Sequence, residues 1–125
     1  MDVTPLIPAD RKVLQGYGDG GFRISGERIE GPILLFPDRV LAWEVTELAL
    51  LRPEHLALVA ECQPKVEILL LGTGARMVLP PADLRRHCRS LGIALEVMDT
   101  GAACRTYNVL LAEERRLAAA LFPAP

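Results

Sequence analysis

From Met98 to Leu110 the chain reads MDTGAACRTYNVL, placing a carboxylate, three hydroxyls, a thiol, a guanidinium and an amide among small or apolar residues. Asp99 and Thr100 are both good helix caps, because their side-chain oxygens accept from the unpaired N–H groups at a helix start. With Thr100 as the cap, Cys104 lies in the second turn and Asn108 follows four residues later on the same face. Cys104 is the candidate nucleophile: helix-start N–H groups and the neighbouring Arg105 both favour a thiolate. Thiol catalysis also needs a positioned histidine. The two histidines, His55 and His87, fall on apolar helix faces, and the other reading of Cys104, among alanines, is a small buried filler. Arg105 has two readings as well: a tie between the helix start and a neighbouring turn, or a clamp on a carboxylate or phosphate. No catalytic residue is assigned.

A second group of candidates is Gly72, Thr73 and Gly74, with Arg76 close behind. The turn follows an apolar run, at the strand end where open α/β sheets hold ligands. Glycine N–H groups there can point at an anion, or the glycines can serve a tight strand exit. Neither a Walker loop nor GxGxxG is present. Metal ligation is not expected. His55 and Cys62 are about 10 Å apart along a helix, and His87 and Cys88 diverge by about 100° around one. No cofactor is called for. Arg76, Arg105, Asp99, Thr100, Cys104 and Asn108, with the 72–74 turn, form the expected ligand- or partner-binding set.

The elements that must position these residues divide the chain in two. Residues 1–12 read as an irregular arm interrupted by Pro5 and Pro8, and residues 13–122 as one domain. Short strands are expected at 13–17, 22–25, from 28 across the Gly31-Pro32 interruption to 36, and at 40–43, forming an antiparallel meander or small sheet. A helix follows Pro53 with His55, Leu58, Val59 and Cys62 on one face, closed by Pro64. Residues 66–71 and 93–98 are two apolar runs, both read as strands covered on each face. The helix between them opens after Pro80-Pro81 and carries Leu84, His87, Cys88 and Leu91, with Gly92 closing it. This predicts a parallel βαβ unit with a right-handed crossover. A third helix starting near Gly101 turns Ala103, Tyr107, Leu110 and Leu111 inward. For residues 117–121 alanine propensity suggests helix, yet the charged stretch 113–116 suits a turn, so pattern alone leaves strand or helix open.

At 125 residues the chain has the length of one domain, with half its residues hydrophobic and a net charge of −2. No global positive field attracts nucleic acid. The Arg85, Arg86 and Arg89 cluster reads as a solvated helix face. Three widely spaced cysteines form no disulfide framework, so reduced thiols are expected. No apolar run reaches the roughly 20 residues of a membrane span. The N-terminus lacks the basic start and apolar core of a signal peptide. The expectation is a soluble cytoplasmic protein, with peripheral association at the inner face of the cell membrane left open.

At MDTGAACRTYNVL, together with LLLGTG at 69–74 and GYGDGGFRISG at 16–26, the chain resembles the family of the mitochondrial complex I assembly factor 3 and its bacterial and archaeal relatives, many of them uncharacterised. The resemblance covers roughly residues 13–122. It implies an α/β fold: a single three-layer β/β/α domain, a mixed sheet with helices on one side. It also implies a helix over about 101–113 and a strand over about 116–122. The mitochondrial members help to build a respiratory NADH dehydrogenase by contact with partners. The implied function is a non-enzymatic accessory or assembly factor whose partners are respiratory-complex subunits or other assembly factors. The alternative is an anion-binding protein or enzyme with its site between the 72–74 turn and the Asp99–Asn108 junction.

Overall fold

The computed structural model describes residues 10–125. The arm expected around Pro5 and Pro8 lies outside the described residues. Strands β1 (Leu14–Gly18), β2 (Gly21–Ile24) and β3 (Glu27–Glu30) form an antiparallel meander in which Phe22 pairs with Tyr17 on one side and Ile29 on the other. Strands β4 (Ile33–Phe36) and β5 (Arg39–Ala42) make a hairpin around Pro37-Asp38. This hairpin does not extend the meander. It joins a second sheet instead, so the expected single small sheet is two sheets. The break is at Gly31-Pro32: Pro32 has no N–H to continue a ladder, and its carbonyl accepts from the Trp43 N–H at 2.9 Å.

The larger sheet has the order β5-β4-β8-β6-β7, where β6 is Ile68–Thr73, β7 is Ala94–Met98 and β8 is Leu117–Phe122. As expected, β6 and β7 are parallel neighbours, with Leu70 opposite Glu96. On its other side β6 pairs in parallel with β8, with Leu70 opposite Ala119. Strand β8 completes the mixed sheet by pairing antiparallel with β4. All six residues of β8 are buried, so both faces of this alanine-rich strand are covered. Strand β7 departs from its expected double coverage: it is an edge strand, with Ala94 and Glu96 exposed on either side of buried Leu95. The alternation around Glu96 is the sign of a half-buried strand.

The helices are α1 (Ala57–Ala60), α2 (Ala82–Ser90) and α3 (Thr100–Ala112). The helix expected after Pro53 is shorter than its spacing suggests. A 3₁₀ turn over Pro53–Leu56 leads into the single turn of α1, and Leu58 is exposed. The α/β class and the mixed sheet stand, but the helices do not share one side. Leu84 and Cys88 of α2 and Val59 of α1 pack on Leu69, Leu71, Ala118 and Ala120. Ala103, Cys104, Tyr107 and Leu111 of α3 pack on the opposite face, against Leu70, Ala119 and Leu121, beside Phe22 and Ile24 of the meander. The connections require this division. The β6–α2–β7 crossover moves toward the sheet edge, whereas β7–α3–β8 returns past β6. Two crossovers of the same hand taken in opposite directions must use opposite faces.

Candidate functional site

Strands β6 and β7 end side by side, so the 72–74 turn and the start of α3 meet. Asp99 is the cap of α3, its carboxylate accepting from the Ala102 N–H at 2.9 Å. That leaves the Thr100 hydroxyl for another task. It accepts from the Gly74 N–H at 2.8 Å and donates to the Phe122 carbonyl at 2.6 Å, while the Thr100 N–H donates to the Gly74 carbonyl at 2.9 Å. Thr100 is wholly buried. The backbone groups of Gly74 are thereby turned on α3.

The two glycines have different tasks. Gly74 has a φ of +99°, a backbone conformation that side chains rarely adopt. Gly72 lets α3 approach: a Cβ there would lie 2.9 Å from the Leu121 side chain, 3.0 Å from the Thr100 hydroxyl and 3.2 Å from Ala103. Between them, the Thr73 hydroxyl donates to the Arg76 carbonyl at 2.6 Å and accepts from the Val78 N–H at 3.0 Å. One side chain therefore holds the loop that follows β6.

Cys104 and Asn108 face inward, away from this junction. Cys104 is buried against the sheet, and desolvation pushes its thiol up to about 12 in spite of the favourable charge of Arg105. A thiol so placed is protonated at neutral pH and matches the filler reading. Asn108 spans to β1, its carbonyl accepting from the Leu14 N–H at 3.1 Å and its amide donating to the Leu14 carbonyl at 2.6 Å. The amide thus serves β1 as a neighbouring strand would. Arg105 is exposed and reaches the Tyr17 hydroxyl at 3.5 Å. Tyr17 itself closes over Gly101, where a Cβ would lie 2.4 Å from the phenol oxygen.

The predicted residues therefore separate. Thr73, Gly74, Asp99 and Thr100 form one bonded junction, Arg76 and Arg105 stand exposed around it, and Cys104 and Asn108 belong to the packing of α3. Two features at the surface carry no motif. Met77, Val78 and Leu79 are consecutive and 55%, 49% and 73% exposed. Their signal in sequence is three apolar residues between a glycine turn and Pro80-Pro81, too few to form a buried element. The second is a cavity at the opposite end of the sheet, lined by residues from Arg11 to Leu117. Its parts lie too far apart in the chain for spacing to reveal it. Among the described residues no three His, Cys, Asp or Glu side chains converge as metal ligands would, and no buried side-chain nitrogen or oxygen lacks a hydrogen-bond partner.

Residues 14–122 match one protein family, described as "Protein of unknown function (DUF498/DUF598)". The chain is 40% identical over 113 residues to the zebrafish (Danio rerio) protein named NADH dehydrogenase [ubiquinone] 1 alpha subcomplex assembly factor 3, covering 90% of this chain and 65% of that protein. The chain thus spans slightly less than two thirds of that relative's length. An uncharacterised protein of Rhodobacter capsulatus is also 40% identical over 113 residues, covering 90% of this chain and 85% of the relative. Among solved structures, one described as an outer membrane protein from Bartonella henselae superposes with a TM-score of 0.84 at 36% identity, covering 96% of this chain and all of that one. Sequence and fold agree along nearly the whole chain: it belongs to the DUF498/DUF598 family, together with the complex I assembly factor 3 proteins and their bacterial relatives.

Proposed function

We propose that this protein is a non-enzymatic accessory factor that acts by protein–protein contact in the assembly of a respiratory NADH dehydrogenase. Its partners on this reading are subunits of that complex or other assembly factors, met in the cytoplasm or at the inner face of the cell membrane. The names of its relatives motivate the process. The observation that carries the contact is the exposed run Met77-Val78-Leu79, on a loop held by Thr73 and flanked by the exposed Arg76. Burying such a side chain on a partner is worth about 1.5–3 kcal/mol, and a loop tied in place loses less freedom on docking than a slack one. In this reading Asp99, Thr100 and Gly74 are the frame of the contact, and Arg76 and Arg105 supply its charge.

The test uses a host strain lacking the gene, complemented with the wild-type chain or with Leu79→Asp. Assembled NADH dehydrogenase is read on native gels stained for NADH oxidation. The expected result is poor assembly without the gene, rescue by the wild-type chain and failure of Leu79→Asp at an unchanged thermal midpoint. Full assembly in the deletion strain would overturn the role. Full rescue by Leu79→Asp would move the contact elsewhere on the surface.

A further inference from the structure

At the end of the sheet where β6 and β8 begin, the β4–β5 hairpin, residues 62–66 and the turn from α3 into β8 surround a cavity of about 270 Å³. Its accessible apolar lining comes from Pro37, Cys62 and Pro64, with Phe36, Val66, Leu111 and Leu117 buried beneath them. Its walls are cationic: Arg11, Arg39, Arg115 and Arg116 line it, against the carboxylates of Asp38 and Glu114. This balance is opposite in sign to the net charge of −2 of the chain.

Two of these arginines are held in place. The Arg39 guanidinium lies over the Phe36 ring at 4.2 Å from its centroid and 3.2 Å from the Asp38 carboxylate. Arg116 is ion-paired with Glu67. Arg115 has no ion-pair partner among the described residues. The turn presenting it is the end of α3: Glu114 takes the left-handed conformation, φ +58°, its N–H donating to the Leu111 carbonyl and the Arg115 N–H to the Leu110 carbonyl.

We infer that this cavity is a binding site for a small organic anion with a short apolar body, its carboxylate on Arg39 and Arg115 and its apolar part on Pro37, Cys62 and Pro64. Guanidinium groups pair with carboxylates through parallel, charge-assisted hydrogen bonds. A bare inorganic anion would leave Pro37, Cys62 and Pro64 uncovered, and a neutral hydrocarbon would leave Arg115 unanswered. The volume lies just under the range of drug-sized pockets, about 300–1,000 Å³, which suits a short acyl carboxylate. The site is at the far end of the sheet from the Met77–Leu79 loop and does not depend on the assembly role.

The experiment titrates the full chain with hexanoate and follows its backbone proton–nitrogen NMR spectrum, with acetate, hexylamine and inorganic phosphate as comparison probes. Hexanoate is expected to give saturable shifts confined to residues 36–39, 62–67 and 114–117. It is also expected to slow alkylation of Cys62, whose sulfur lies 3.9 Å from the Arg39 guanidinium. Arg115→Gln, at an exposed side chain, should weaken hexanoate about tenfold, as loss of one charge-assisted bond implies. Arg39→Gln should weaken it at least as much. The inference is overturned if hexanoate gives no saturable shift, if hexylamine or phosphate shifts the same amides as strongly, or if both arginine variants bind hexanoate like the wild type.

Discussion

The Thr100 hydroxyl donates to the Phe122 carbonyl at 2.6 Å, so the first residue of α3 holds the last residue of the strand that α3 leads into. The same oxygen accepts from the Gly74 N–H, joining the exits of β6 and β8 to one helix start. Thr100→Val keeps the shape and removes the hydroxyl, leaving a buried donor and a buried acceptor unpaired. The expected loss is about 2–4 kcal/mol in urea unfolding. Thr100→Ser keeps the oxygen and should lose less than about half as much.

Asn108→Ala should loosen β1 without unfolding the chain. Both backbone groups of Leu14 lose their side-chain partner, and the position is partly open to water, so the expected cost is about 1–2 kcal/mol. Hydrogen exchange at the Leu14 amide should speed up more than at the amides of β6. Asn108→Asp should be worse, because it replaces the amide donor with a carboxylate facing the Leu14 carbonyl.

Alkaline unfolding should depend on Cys104. Desolvation raises its thiol from 9.0 to about 12 in the folded chain, so the folded state keeps a proton that the unfolded state releases. The stabilisation is complete below about pH 9 and is lost as pH rises toward about 12. Cys104→Ala removes this group, and its unfolding free energy should fall less steeply over that window. At neutral pH the same change should cost only about 1–2 kcal/mol, from the lost packing.

Glu114→Gly should raise stability by about 1 kcal/mol, because glycine adopts the left-handed backbone of Glu114 without a Cβ penalty. A higher thermal midpoint is the expected reading. The same change removes a carboxylate from the cavity wall, so the variant should also bind hexanoate more tightly, read in the same NMR titration.

Much of the fold is legible in the sequence because its signals are local. Asp99 caps α3 through an N–H three residues away, the 72–74 turn ends β6 through its own backbone, and Phe22 and Ile24 alternate as a half-buried strand does. Residues 117–122 show where local evidence stops. Alanines 118–120 favour a helix by propensity, worth at most about 0.7 kcal/mol per residue, and the strand expectation rested on the family resemblance. Burial of all six residues between α3 on one face and the cluster of Trp43 and Leu71 on the other outweighs that preference.

The sequence by itself determined where the chain turns, which runs are apolar and which residues crowd the β7–α3 junction, since each depends on neighbours a few positions apart. Only the tertiary structure decided that β7 is an edge strand, that α2 and α3 lie on opposite faces, that Cys104 is sealed in and that Asn108 serves β1. It alone brought Arg39 and Arg115 to one cavity. These outcomes depend on contacts between segments tens of residues apart. Their energy belongs to the packed layers as a whole, and no single window of the chain contains it.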